Sequence, residues 1–276
     1  MTRSRGIESA LWSAVLVAAA LAVLIPLLLV LQNSFKSPQE FVSHSPLALP
    51  SEWTFENFAH VLGSAGLGTA MGRSALVVGF LLVTQLPLSI LAGYAFAALE
   101  FPGRRLLYGA TLAAVAIPGI ALVVPLYLMV AAVDLRETYW ALVLPWSLGS
   151  AFAVFLLRES FASIPREQLD AARVDGAREP QILWRIVLPQ SRPTIAVLVV
   201  VTVVAHWNAF LWPQVIAGSE WPVATVVTAG LQAQYAQNWT LVLAACTLMI
   251  VPVVVLFALV QRLLPSFAPF PRRVAG

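Results

Sequence analysis

The sequence predicts an all-α polytopic membrane protein with six transmembrane helices, and three observations predict it. Hydrophobic residues make up 60% of the 276-residue chain and charged residues only 11%, whereas a soluble domain runs near 45–50% and about 25%. One water-soluble core cannot absorb that excess, because a core of this size still needs a polar exterior; lipid is part of the solvent. The apolar residues fall into uncharged windows, each long enough for a spanning helix of about 20 residues. The arginines are also shared unequally between the segments that join those windows.

The windows follow in order. Ser9 to Phe35 carries no charge, with its apolar heart at Leu11 to Leu31. Its run is longer than the h-region of a secretion signal, and Pro26 interrupts the place where cleavage would fall, so it reads as a retained helix. The second window is Ser74 to Leu99, the third Leu106 to Val133, the fourth Thr138 to Leu157 and the fifth Pro193 to Ser219. The stretch Trp221 to Gln261 is too long for one span, and its first part turns polar. The sixth span is therefore expected at about Thr240 to Gln261. Pro26, Pro87, Pro118, Pro125, Pro145, Pro213 and Pro252 fall inside the windows. Two readings of them stay open: ordinary membrane-helix composition, or kinks that let a bundle open and close.

Charge asymmetry orients the spans. With both termini cytoplasmic, the inner segments hold Arg3, Arg5, Arg104, Arg105, Arg158, Arg166, Arg173, Arg178, Arg185, Arg192, Arg262, Arg272 and Arg273. The outer segments hold only Lys36, Arg73 and Arg136. The expected divisions are a tail and first helix over 1–36, an extracytoplasmic loop with an amphipathic helix over 37–70, a core over 71–262, and a cytoplasmic tail over 263–276. In the outer loop, Trp53, Phe55, Phe58, Val61 and Leu62 recur at helical spacing. That helix either packs on the bundle or receives a substrate-delivering partner. Asp134, Arg136 and Glu137 read as a short outer turn.

The segment 158–192 is the most informative. An arginine at mid-bilayer costs roughly 2.5–3.5 kcal/mol, so a stretch holding Arg158, Arg166, Arg173, Arg178, Arg185 and Arg192 cannot span. A plain connector is about 2–8 residues, and this one carries helix punctuation. Pro165 precedes good helix formers with an acidic first turn, and Gly176 is a natural C-terminal stop. Pro180 suits the start of a second helix, and Pro189 is expected to end it. Ile182, Leu183, Ile186 and Val187 share one flank of that helix; Leu169, Ala172 and Val174 are the apolar residues of the first. Two short helices, folded back against the cytoplasmic ends of the bundle, are the expected result.

These residues carry a resemblance. Asp170-Ala171-Ala172, Gly176 and Ile186-Val187-Leu188-Pro189 resemble the "EAA" signature of the inner-membrane permeases of binding-protein-dependent ATP-binding-cassette (ABC) importers. The usual glutamate is replaced by Asp170. The segment "HWNAFLWP", His206 to Pro213, resembles the carbohydrate-type subfamily, as do "FPGRRLLYGATLAAVAIPGIALVVPLYL", "FLLRESFASIP" and "PSEWTFENFAHVL". The likeness is close to the smaller maltose-system permease and covers nearly the whole chain. The C-terminal "LLPSFAPFPRRVAG" departs from it.

The resemblance implies a type I ABC importer permease fold. It implies a second permease subunit, two ABC ATPase subunits that bind ATP and magnesium, and an extracytoplasmic solute-binding protein. Leu169, Asp170, Ala171, Ala172, Asp175 and Gly176 would form the docking turn for the ATPase. Leu188 and Pro189 would couple it to the fifth span.

The residues themselves agree that energy is borrowed. G-x-x-x-x-G-K-[ST] needs a lysine after glycine, and the sole lysine, Lys36, lies in "NSFKSP". The chain is therefore expected to bind no cofactor and to be no enzyme. His44 and His60 stand apart from any Cys/His/acid cluster, so no metal site is expected, and Cys246 reads as a packed small hydrophobe. The basic balance follows membrane topology, so no nucleic-acid partner is expected. A substrate path is expected along His206, Trp207, Asn208, Phe210 and Trp212, aromatic faces and amides being suited to sugars. The tryptophans read equally as interfacial anchors. The competing classes are a self-contained channel or secondary carrier, disfavoured by the scarcity of ionisable residues in the spans, and a membrane-embedded enzyme.

Overall fold

Long uncharged runs leave the backbone no hydrogen-bond partner in lipid but itself, and helices are the outcome. The computed structural model describes residues 2–235 and 238–261, among which there is no strand. Arg262, Arg272, Arg273 and the expected 263–276 tail lie outside the described residues. Leu11–Asn33, Leu67–Ala98, Tyr139–Ala162 and Trp239–Val260 are each long and apolar enough to cross a membrane. Two bent pairs, Arg104–Val115 with Gly119–Ala132 and Glu179–Gln190 with Arg192–Trp207, raise the number to six if each is one span.

The chain divides into two units, one formed by residues 1–71 and 226–251, the other by residues 72–225 and 252–276. In the first, α1 (Thr2–Asn33) stands with none of its apolar window buried. After it the chain is tied into a polar knot. The Asn57 amide donates to the carbonyls of Ser34 and Lys36, both at 2.8 Å, and Thr240 Oγ1 donates back to Asn57 Oδ1 at 3.0 Å. Lys36 is wholly buried, its Nζ donating to the Ser45 carbonyl at 3.2 Å. Two short helices follow, α2 (Pro38–Ser43) and α3 (Glu56–Leu62). Trp53 and Phe55 precede α3, and with Phe58 their rings gather round Phe35 at centroid distances of 4.9–5.3 Å. The expected outer helix thus exists but is shorter. Its aromatic residues close a ring cluster instead of forming one stripe.

The second unit holds most of α4 (Leu67–Ala98) and then α5 (Arg104–Val115). A single third span was expected; the helix instead breaks at Pro118, where the axis turns by 97°. A 3₁₀ turn, Gly119–Leu122, leads into α6 (Val123–Ala132). The missing N–H and ring of a mid-helix proline are sufficient cause. Next come α7 (Tyr139–Val143), a 3₁₀ turn over Leu144–Trp146, and α8 (Ala151–Ala162). The charged segment forms α9 (Arg166–Val174), α10 (Glu179–Ile182), a π turn over Leu183–Val187, and α11 (Leu188–Gln190). The fifth window becomes α12 (Arg192–Trp207) and α13 (Leu211–Ile216). The polar stretch after it forms a further helix, α14 (Ala224–Gln234), before α15 (Trp239–Val260), residues 226–251 of the two belonging to the first unit.

Helices α4 and α8 meet at Gly93, where an added Cβ would lie 2.9 Å from Leu157 Cβ and 3.3 Å from the Arg158 nitrogen. Both are fixed parts of the neighbouring helix and cannot swing away. Gly93→Ala is therefore expected to destabilise the bundle by about 1–3 kcal/mol through overpacking. A lowered thermal midpoint of the detergent-solubilised protein is the measurement.

Candidate functional site

The elbow α9–α11 is built from its caps inward. Pro165 sets the entry to α9, and Gly176, at φ +83°, closes its end. The Gly176 N–H donates to the Arg173 carbonyl at 3.0 Å and the Ala177 N–H to that of Ala172 at 2.9 Å. This double bond is the Schellman arrangement that a left-handed glycine permits. The Gln181 side chain accepts from the Arg178 N–H at 2.8 Å and fixes the start of α10. Pro189 does not end the second helix as expected, since α11 runs to Gln190. In an α register its ring would strike the carbonyl four residues back. The turn before it is of π type, the Leu188 N–H reaching the Leu183 carbonyl five residues back.

The elbow's apolar flank is buried. Leu169, Ile182, Leu183 and Val187 share one core with Tyr94 of α4, Leu157 and Phe161 of α8, and Leu198 of α12. Leu188, Ile186 and Ala172 pack against its edge. Of the predicted docking residues, Leu169 thus faces the bundle, while Asp170, Ala171, Asp175 and Gly176 are exposed. Pro189 is half-buried beside Leu188. Val174 and Trp184 are bare to 87% and 71%. Beside Gly176, an open depression of about 310 Å³ is lined by Asp175, Gln181, Arg185 and Ile186.

Polar bonds lock this shape. Arg173 reaches Asp170 Oδ1 at 2.8 Å, Glu179 Oε1 at 2.9 Å and the Ala98 carbonyl at 3.3 Å. The Tyr94 hydroxyl donates to the other Glu179 oxygen. One guanidinium therefore ties α9 to α10 and both to the end of α4. Its hydrogen bonds hold the Glu179 carboxyl below the usual carboxylate range, and Glu179 raises the Arg173 guanidinium in turn. Sequence reasoning missed this lock and the exposed Trp184. The lock had no local signal, because Tyr94 and Glu179 lie far apart in the chain.

The predicted path residues are not brought to one surface. Trp207 and Trp212 are buried, the latter donating from Nε1 to the Ala141 carbonyl at 3.2 Å and meeting Trp146 edge-on at 6.2 Å. Trp207 packs in the bundle, and Trp212 combines burial with a place in the wall of a cavity. Asn208 and Phe210 are exposed, at the break where α12 stops and α13 has not begun. His206 and Trp212 line a cavity of about 210 Å³ with Ser74, Leu81 and Trp146. Gln85, which the sequence did not single out, donates to the Trp146 carbonyl and meets His206 Nε2 at 3.1 Å. A helix interrupted in mid-course beside a polar-tipped cavity is an arrangement found where membrane bundles pass solutes.

Apolar helices in this number, with a stiff charged elbow at one end and a broken helix in the bundle, define a polytopic membrane transport component. Residues 85–268 match the family model described as the binding-protein-dependent transport system inner membrane component. The chain belongs to that family. It is 32% identical over 258 residues, 92% of this chain and 85% of the relative, to the diacetylchitobiose uptake system permease protein NgcG of Streptomyces coelicolor. It is 33% identical over 247 residues, 88% of each chain, to the arabinooligosaccharides transport system permease protein AraQ of Halalkalibacterium halodurans. Its fold is similar to that in the crystal structure of a bacterial ABC transporter involved in the import of the acidic polysaccharide alginate. There the TM-score is 0.79 at 23% identity, over 96% of this chain and 98% of that one.

The lock generates a pH dependence. A carboxyl depressed by folding stabilises the elbow above its ordinary pKa, near 4.3, and loses that contribution as pH falls through the lower folded value. Amide exchange over Arg166–Gln181, corrected for intrinsic rates, is expected to quicken as pH drops below about 4. Glu179→Gln should raise it about five-fold at neutral pH, the equivalent of a half-exposed ion pair of about 1 kcal/mol, and flatten the pH response.

Proposed function

We propose that this chain forms half of the translocation path of an ATP-driven importer for a sugar or oligosaccharide. It takes its motion from partner ATPase subunits through α9–α11. Six spans with both termini cytoplasmic are part of the proposal, supported by the bias of arginines towards one side. The divisions at 36, 70 and 262 are carried over with it, the coupling loop lying at 158–192. The partners are a second, different permease chain, two ABC ATPase subunits that hold ATP and magnesium, an extracytoplasmic solute-binding protein, and lipid. ATP hydrolysis belongs to the ATPase subunits.

The observation that carries the proposal is the elbow. Asp170, Ala171, Asp175 and Gly176 stand exposed on a short helix whose opposite flank is sealed into the bundle. A push on that surface moves α4, α8 and α12 as a body, which is how rigid-element switching works. Val174, Trp184 and the depression beside Gly176 offer apolar and concave surface for a docking partner. The substrate class is supported by the diacetylchitobiose and arabinooligosaccharide names of the relatives. Asn208, Phe210, His206 and Trp212 are the path residues with exposed or cavity-facing positions.

The test is a crosslink. In a Cys246→Ser background, Asp175→Cys is expected to join an ATPase subunit in the assembled transporter. Labelling of that position only from the extracytoplasmic side would overturn the proposal. Gly176→Val, which forces a β-branched residue into a left-handed turn at about 1–2 kcal/mol, should leave insertion intact while uptake and substrate-stimulated ATP hydrolysis fall together. Asn208→Ala should lower labelled-oligosaccharide uptake without altering the crosslink.

A further inference from the structure

A second cavity, of about 710 Å³, lies where α4, α5, α8 and α9 leave the apolar part of the bundle. Its lining includes Arg104, Arg105, Arg158 and Arg166, with Glu100 as the one lining carboxylate. We propose that it binds the phosphate headgroup of an anionic phospholipid. The proposal takes from the functional reading above only that this end of the bundle sits at a membrane surface.

Four guanidiniums from three separate elements converge here, far more than topology requires of one loop. Arg158 is held in place: its Nη1 reaches Glu159, its guanidinium lies 5.0 Å over the Tyr108 ring, and Tyr108 donates to the same carboxylate. Its Nε is buried without any hydrogen-bond partner. An N–H left empty there costs free energy, a sign that the guanidinium is placed for its outward-facing nitrogens. Arg104 spends Nη1 on the Leu99 carbonyl. Arg105 and Arg166 are exposed and make no ion pair among the described residues. Guanidinium forks suit the several oxygens of a phosphate better than a single point charge does.

Phosphate could arrive free in solution or on a lipid, and the surroundings favour the lipid. Leu106 and Leu107, directly after the two arginines, are 78% and 53% exposed. A free ion has no use for bare leucines beside its site, whereas acyl chains cover them. The headgroup then sits among charges at the interface while the chains run along α5, an arrangement in which each basic residue near an anionic leaflet contributes measurably. A neighbouring cavity of about 290 Å³ shares Arg104, Arg158 and Arg166 and extends to Asp170 and Arg173. A bound headgroup would thereby brace the back of the elbow.

The test uses the full chain in nanodiscs of phosphatidylcholine containing graded phosphatidylglycerol, read as retained lipid by native mass spectrometry. Wild type is expected to retain phosphatidylglycerol in preference to phosphatidylcholine. The double variant Arg105→Gln/Arg166→Gln should retain it on the order of ten-fold more weakly. Arg105→Lys/Arg166→Lys should recover part of the loss and inorganic phosphate should not displace the lipid. Equal retention of the two lipids, or an unchanged glutamine variant, would overturn the proposal. Displacement by inorganic phosphate would also overturn it, by assigning the site to a free anion. The readout needs neither transport nor an ATPase, so failure here leaves the Asp175 crosslink standing, and failure of the crosslink leaves this site standing.

Discussion

Leu169, Ile182, Leu183 and Val187 cannot stay in water and cannot take their neighbouring arginines into lipid. That conflict governs the structure. The segment carrying them must lie at the membrane surface, with its apolar flank against the ends of α4, α8 and α12 and its charges outward. Burying an aliphatic side chain contributes about 1.5–3 kcal/mol, and four such residues outweigh any single polar bond in the segment. The arginines set the depth and the aliphatic residues set the orientation. Asp170, Asp175 and Trp184 are left outward because the inward positions are taken.

The polar lock refines what burial decides. Arg173 and Glu179 are partly exposed, so their ion pair adds little to raw stability, whereas Tyr94 is buried in the core and donates its hydroxyl to Glu179. Their value is geometric. They fix the angle between α9 and α10 and hold both to the Ala98 carbonyl. An 80° turn then joins Glu179–Gln190 to Arg192–Trp207, the start of α12.

The legible parts of this chain were those set by short-range rules. Gly176 announced a left-handed stop, Pro165 and Pro180 announced helix starts, and uncharged windows announced spans; each depends on residues within one or two turns. Pro189 ends its helix one residue late, at Gln190, after a π turn that short-range rules do not announce. The break at Pro118 settles as a kink one of the two readings that the sequence leaves open for its prolines. Asn57 reaches Ser34 and Thr240, Gln85 reaches His206, and Tyr94 reaches Glu179, all across long stretches of chain. No periodicity carries such pairings. The tryptophans of "HWNAFLWP" show the limit most plainly: burial of Trp207 and Trp212 depends on neighbours contributed by other helices.

That segment is special because its backbone is interrupted, and the tryptophans are the reason the interruption holds. A helix that stops at Trp207 and restarts at Leu211 leaves backbone groups in mid-bundle without helical partners. Some are recovered locally: the Asn208 N–H and side chain both return to the Val204 carbonyl, and Thr225 donates to that of Ala209 at 2.6 Å. Trp212, bonded to Ala141 and edge-on to Trp146, anchors the restart. With the two ends pinned by buried indoles, Asn208 and Phe210 between them are left exposed. The sequence pattern thus assigns two jobs to adjacent residues, packing to the tryptophans and exposure to the amide and phenyl ring, and only a broken helix can satisfy both.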